Sequence, residues 1–303
     1  MLVVPEGFAA ATRARKGAAG DAWVRALPAL VDRWLTRWEL AVDGPVRHGT
    51  VALVVPVRRL HRQAAVLKVS WVDEETRTEA VALARWGGAG AVALLASAPE
   101  DGALLLERLD ADRSLEQLGE DEAVALAAAL LRRLHVAPPD GLVDVVDVAR
   151  RWQATLLDEW VGLGRPGRRD LVERAVATCT ELAAAPGAAR LLHGDFHYGN
   201  VLARLPSSAP QGWAALDPKP LVGDPEFDVL PLLRNRFDEL AATGDATAAC
   251  RRRLHAVTEA AGLDRERAAH WCLVRSVDDA LLGEEQQAPR FAAIAWEIAA
   301  ALA

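Results

Sequence analysis

HGDFHYGNVLARL, from His193 to Leu205, followed by WAALDPK, from Trp213 to Lys219, decides the reading of this 303-residue chain. An acid at Asp195, an amide five residues on at Asn200 and a second acid at Asp217 form the donor set that phosphoryl transfer from a nucleotide needs. In that chemistry one Asp accepts the proton of the attacking hydroxyl, while an Asn and a second Asp hold magnesium against the phosphates. Magnesium takes hard oxygen ligands and keeps several waters, so one carboxylate and one amide suffice when phosphates supply the rest. Leu191-Leu192 and Val201-Leu202 read as strand ends around the loop, and Trp213 to Leu216 as a strand that delivers Asp217 to the same place. Taken singly, His-Gly-Asp and Asp-Pro are ordinary turn chemistry; the spaced combination between apolar runs carries the reading.

The chain has 35 Lys plus Arg, yet lysine stands only at Lys16, Lys68 and Lys219. Lys68 lies in the strand-like run Ala64-Ala65-Val66-Leu67-Lys68-Val69, similar to the Val-Ala-Ile-Lys strand of kinases, whose lysine binds phosphates and pairs with a helix glutamate. The alternative is an edge-strand lysine that discourages aggregation. Asp73 to Trp86 predicts a helix with Ala80, Leu83, Ala84 and Trp86 on its inner face. Glu79, beside that face, is the expected partner; the alternative is a solvated surface acid. Val46 to Val57 predicts a hairpin whose turn, with Gly49 alone, is a poor phosphate loop. The phosphate-loop signature with Gly-Lys-Ser/Thr is absent. Gly102 to Leu109 predicts a buried strand ending in a charged break, either a plain core strand or a hinge where backbone groups of Glu107 and Leu109 read adenine.

A net charge of -7 and a pI near 5.6 exclude a nucleic-acid partner, which calls for a basic patch. The acidic balance suits a cationic small molecule. Cys179, Cys250 and Cys272 are odd in number and lack metal spacing, so they read as reduced core thiols of a cytoplasmic protein. No apolar run marks a targeting segment or a membrane span. Residues 1 to 40 read as two helices, the second with Trp23, Leu27, Leu30, Trp34 and Trp38 on one stripe. Asp121 to His135 reads as a helix stopped by Pro138-Pro139.

The stretch from His193 to Asp228 resembles the aminoglycoside phosphotransferase family. HYGNVL with LDPKPLVGDPEFD is similar to its streptomycin 6-kinase and hydroxyurea kinase branch, and TRTEAVALARWGG, ALLLERLD and the WEL around Glu39 agree. The resemblance implies an α+β, protein-kinase-like bilobal fold with an antiparallel sheet in a small N-lobe and a larger, mainly helical C-lobe. The expected division is residues 1–108, a helical extension plus nucleotide-binding sheet, and residues 109–303, the catalytic and substrate-binding part. It implies ATP and Mg2+ as cofactors and phosphorylation of an aminoglycoside hydroxyl, with streptomycin first, conferring resistance; hydroxyurea and a non-catalytic nucleotide-binding pseudokinase are the alternatives. A protein kinase is disfavoured by HGD in place of HRD. Carried over residue by residue, Asp195 is the base, Asn200 and Asp217 the magnesium ligands, and Lys68 the phosphate lysine. His193 and Asp228 brace the loop. Lys219, at the position of the Phe in Asp-Phe-Gly, is a candidate phosphate contact. A cationic acceptor calls for acids, among them Asp158, Glu159, Asp278, Asp279, Glu284 and Glu285, the last two read mostly as a solvated run. Trp160 or Trp271 is a candidate for stacking on a guanidinium, and Tyr198 for touching the acceptor. The expected state is a monomer or weak dimer.

Overall fold

The structure is a computed structural model that describes residues 2–59, 63–207 and 211–303. The chain forms two compact units, one of Met1–Asp110 with Arg204–Ala214, the other of Ala111–Ala203 with Ala215–Ala303.

In the first unit, helix α1 spans Glu6–Arg37 and breaks at Gly17, whose φ of 58° and ψ of -137° lie outside the helical region. The two helical segments expected before residue 40 are therefore joined end to end, at a residue that tolerates the left-handed region. Strands β1 (Ala41–Val42), β2 (Arg47–His48), β3 (Ala52–Arg58) and β4 (Ala64–Ser70) follow, then helix α2 (Glu74–Trp86) and strands β5 (Leu94–Ala98) and β6 (Ala103–Glu107); strand β7 (Leu109–Ser114) begins in this unit and continues in the second from Ala111. One antiparallel sheet runs β1-β3-β4-β6-β5, with β2 beside β3. Strand alternation sorts β4 by face: Ala65, Leu67 and Val69 pack with Phe8, Leu27, Val31 and Trp34 of α1. Lys68 consequently points to the other face. Because β4 lies between β3 and β6, Lys68 is on a central strand, which overturns the edge-strand alternative. Helix α2 starts at Asp73, which caps it reciprocally with Thr76, and ends on left-handed Gly87.

The second unit contains helices α3 (Glu120–Leu134), α4 (Val145–Gly162) and α5 (Arg169–Ala184), then β8 (Arg190–Leu192), β9 (Val201–Arg204), β10 (Trp213–Ala215) and β11 (Leu221–Gly223). Arg204 and the first residues of β10 belong to the first unit. Helices α6 (Leu230–Arg234), α7 (Phe237–Ala241), α8 (Ala246–Ala261), α9 (Arg265–Glu285) and α10 (Pro289–Leu302) complete it. Its core joins Trp152 and Leu156 of α4, Leu171 and Ala175 of α5, and Trp271, Val274 and Val277 of α9 around Phe227. Strand β8 pairs antiparallel with β11, Leu192 opposite Leu221. That pairing anchors both ends of the segment carrying Asp195 and Asp217.

Candidate active site

Strand β8 ends at Leu192, and the next residues turn sharply because Gly194 has φ 78°. A side chain there is excluded, since a Cβ would meet the Lys219 carbonyl. The turn is clasped from beneath by Asp228, which is fully buried. Its Oδ2 accepts the His193 amide at 2.8 Å and its Oδ1 the Gly194 amide at 2.7 Å. His135 Nε2 lies 3.1 Å from Oδ2. Above it, the Lys219 amide donates to the His193 carbonyl at 2.8 Å, and His193 Nε2 lies 3.1 Å from the Leu216 carbonyl. The loop from 193 and the segment from 216 are thus tied directly. The half-buried Arg275 adds a clamp, its guanidinium donating to Phe227 O at 2.6 Å and Gly194 O at 3.1 Å while lying 4.0 Å from the centre of the Phe227 ring.

Asn200 Nδ2 donates to the Asp195 carbonyl at 3.0 Å, and an amide that donates through nitrogen turns its oxygen the other way. The Leu216 amide donates to the Asn200 carbonyl at 2.9 Å, so Asp217, the next residue, stands beside Asn200. Asp217 has φ 55°, an uncommon conformation for a residue with a Cβ and one that concentrates at functional sites. An amide oxygen and a carboxylate make a donor set that fits magnesium completed by phosphate oxygens and water. Among the described residues no three His, Cys, Asp or Glu side chains form a metal cage.

Asp195 has a cation near each oxygen: Lys219 Nζ at 3.5 Å from Oδ2 and Arg234 Nη2 at 3.8 Å from Oδ1. Burial pushes its carboxyl up, but Lys219, His197 and Arg234 outweigh it and hold the group below its ordinary value. Burial also lowers His193 and His197, against the pull of Asp228 and Asp195 respectively. His197 Nδ1 accepts from the Gly199 amide at 3.2 Å, which leaves the proton of a neutral ring on Nε2.

In the first unit, Lys68 Nζ donates to both Glu79 oxygens, at 2.7 and 2.8 Å. With exposures of 7% and 2% the pair is buried, which overturns the surface reading of Glu79. Gly49 closes the β2–β3 turn by donating to Ala52 O at 2.9 Å. The Glu107 amide donates to Ala93 O at 2.9 Å, so an adenine contact through that N–H is excluded. Leu109 opens β7. The Glu107 carboxylate is paired with Arg204, which is 5% exposed and also donates to Gly88 O at 2.7 Å and Ala91 O at 3.1 Å.

Two acceptor candidates are corrected. Tyr198 is 1% exposed, with Arg236 5.5 Å above its ring, and burial pushes its phenol up to about 12. Trp271 is 0% exposed and donates to Asp224 at 2.7 Å. Both pack in the core, where no acceptor reaches. Trp160 is likewise buried and donates to Pro166 O. Asp158, Glu159, Glu284 and Glu285 are exposed, and Asp279 is held by Arg234. Burial raises Asp278 to about 6, helped by Asp279. A cleft of about 560 Å³ is lined by His197, Arg234, Asn235, Arg290, Phe291 and Ile294 among others, and Arg234 joins it to Asp195 at 3.8 Å. Sequence reading missed Arg234, Arg275, Arg204 and His135, because nothing distinguishes an anchoring arginine in so arginine-rich a chain.

An antiparallel sheet with helices α1 and α2, in a chain whose second, mainly helical unit carries this loop, is a protein-kinase-like fold. The solved structures agree. An aminoglycoside phosphotransferase APH(4)-Ia in ternary complex with ADP and hygromycin B matches with TM-score 0.61 at 13% identity, covering 89% of this chain and 96% of that one. Choline kinase LicA from Streptococcus pneumoniae matches with TM-score 0.59 at 12% identity, covering 92% and 99%. The chain belongs to the aminoglycoside/hydroxyurea antibiotic resistance kinase family, whose model matches residues 37–286. It is 41% identical over 283 residues to the streptomycin 6-kinase of Streptomyces glaucescens, covering 93% of this chain and 91% of that protein. It is 44% identical over 269 residues to the hydroxyurea phosphotransferase of Kitasatospora aureofaciens, covering 88% and 75%.

Proposed function

We propose that this protein is an ATP- and magnesium-dependent O-phosphotransferase acting on an aminoglycoside hydroxyl, with streptomycin the first acceptor to test, and that it confers resistance by doing so. The observation that carries the reading is the loop in which Asp195, Asn200 and Asp217 are held together by Asp228 and by the 193–219 backbone bonds. Asp195 accepts the acceptor's hydroxyl proton as its oxygen bonds to the γ-phosphorus; the bond to the β-bridging oxygen breaks and its electron pair leaves on ADP. Asn200 and Asp217 would hold the magnesium, which would supply positive charge against the phosphates. Lys68, fixed by Glu79, and Lys219 are the phosphate-binding ammonium groups, while His193 and Asp228 keep the loop in register. Buried free thiols at Cys179, Cys250 and Cys272 suit a reducing cytoplasm. Among the described residues no helix is long and apolar enough to cross a membrane.

A specific observation favours hydroxyurea, or another uncharged acceptor, as the second reading. Among the described residues that line the cleft next to Arg234 there are two arginines and no carboxylate, whereas streptomycin carries two guanidinium groups. Incubation with ATP, magnesium and a panel of aminoglycosides plus hydroxyurea, followed by mass measurement, tests both. Gain of one phosphoryl group by streptomycin supports the first reading, and gain by hydroxyurea alone the second. Tight ATP binding with no acceptor modified sinks both and leaves the pseudokinase.

A further inference from the structure

We propose that Arg234 is a second catalytic cation, held by Asp279 and Phe291 between the base and the acceptor cleft, where it orients Asp195 and then takes up charge on the transferred phosphoryl oxygens. The inference rests on the phosphotransferase reading and adds a residue to it.

Arg234 closes the short helix α6, six residues beyond Asp228, and its side chain is 22% exposed. Three contacts fix it: an ion pair through Nη1 to Asp279 on α9, the Phe291 ring of α10 at 5.1 Å, and Asp195 Oδ1 at 3.8 Å from Nη2. The first two come from separate helices and hold the plane of the guanidinium. The third is longer than a hydrogen bond, so it is a charge interaction that leaves Nη2 able to turn to a new acceptor. The same side chain lines the cleft, together with His197, two residues from the base.

The electrostatics point the same way. Asp195 is flanked by cations at both oxygens, Lys219 Nζ at 3.5 Å from Oδ2 and Arg234 Nη2 at 3.8 Å from Oδ1. That arrangement is unfavourable to proton abstraction taken alone. It suits a loose transition state, in which charge spreads over the phosphoryl oxygens before the hydroxyl is deprotonated. As the new P–O bond forms and the ADP oxygen departs, the hydroxyl proton passes to Asp195 and cancels its charge. While that charge is spread, the Nη2 end of the Arg234 fork faces the phosphoryl oxygens, whose geometry a planar guanidinium matches better than an ammonium. Asp279 acts through Arg234 and is a positioning residue. Its carboxylate, expected from sequence to bind a cationic acceptor, serves an internal arginine instead.

The test uses the full-length enzyme with ATP, magnesium and whichever acceptor the wild type phosphorylates. For Arg234→Ala, kcat is expected to fall about 10²-fold or more, the scale of losing one aligned transition-state donor, with the KM for ATP within about threefold, as for an interaction made only in the transition state. Guanidinium ion is expected to restore at least about tenfold of the Arg234→Ala rate, because the cavity left matches it, and to leave Asp195→Asn inactive. Arg234→Lys keeps the charge but not the fork and remains well below wild type. Asp279→Asn, with Arg234 present but loose, loses kcat without rescue. Should Arg234→Ala misfold, as thermal melting reports, the Lys and Asp279 variants carry the test alone. A kcat within about threefold of wild type for Arg234→Ala, or for both Arg234→Lys and Asp279→Asn, overturns the proposal; so does a folded Arg234→Ala enzyme that guanidinium does not rescue. A wild type that modifies no acceptor overturns the phosphotransferase reading instead, so the two failures are distinct.

Discussion

Replacing Asp228 by Asn is the sharpest single-atom perturbation of the loop, because the amide has the carboxylate's shape without its four-way acceptance. Oδ1 receives the Gly194 amide and Oδ2 the His193 amide, with His135 Nε2 3.1 Å from Oδ2. Whichever way the new amide is turned, its NH2 faces a backbone N–H that had a partner. A hydrogen bond to a charged group is worth about 1.5–3 kcal/mol, and a buried donor left unmade costs about 1–3 kcal/mol more. Removing a buried charge recovers part of its desolvation cost, so a net loss of about 3 kcal/mol is expected. At about 2–4 °C per kcal/mol for 150–250 residues, melting should fall by about 6–12 °C. Burial pushes the Asp228 carboxyl up, but His135, His193 and the backbone amide hold it below its ordinary value. Its stabilisation is therefore present above the unfolded value of about 3.9 and lost as pH falls through the lower folded one. The melting difference between the variant and wild type, followed by calorimetry, should be constant from neutral pH down to about 5 and shrink below about 4. Because the turn carries Asp195, the proposed base, kcat should fall about 10²-fold, as for a displacement near 1 Å. Equal melting at neutral pH, or a difference that widens towards acid, refutes the reasoning.

Lys68→Met removes the ammonium paired with the buried Glu79 carboxylate and should cost about 3–5 kcal/mol, whereas the double Lys68→Met/Glu79→Met should recover most of it in denaturant melts. Arg204→Met strands Glu107 in the same way and removes the donors to Gly88 and Ala91, for a loss of about 3 kcal/mol or more. Asp278 titrates near 6 in the fold, above its unfolded value of about 3.9. The folded chain thus keeps a proton that the unfolded one releases, and stability from this group falls as pH rises between the two values. Asp278→Asn should accordingly raise melting above pH 6 and leave it unchanged near pH 4; a shift of equal size at both fails it.

What sequence could show follows from how local each signal is. Lys68 and Glu79 were visible because a charge in an apolar strand and an acid beside a helix's inner face both break a short-range pattern. The strands around the loop were visible because apolar runs bounded by turn residues mark them. Tyr198 and Trp271 misled because a motif neighbour or an aromatic type says nothing of burial. Each side chain is closed over by residues distant in sequence, as when Asp224 takes the Trp271 indole. Arg204, Arg234 and Arg275 were invisible for the complementary reason: their partners lie 97, 45 and 81 residues away.

The acceptor question narrows once those long-range pairs are counted. Of the acids that sequence offered to a cationic substrate, Asp279 is taken by Arg234, while Asp158, Glu159, Glu284 and Glu285 are exposed. Asp278 carries its full charge only well above pH 6. A dicationic acceptor that binds productively must then draw its attraction from exposed carboxylates beyond the cleft wall, and such attraction acts through solvent. Screening over about 10 Å at 0.1 M salt makes it weaken as ionic strength rises. The KM for streptomycin should therefore climb steeply between low and physiological salt while kcat holds, and the KM for hydroxyurea, which is uncharged, should not move. A streptomycin KM indifferent to salt would mean that a carboxylate buried against the substrate does the recognising, contrary to the lining seen here.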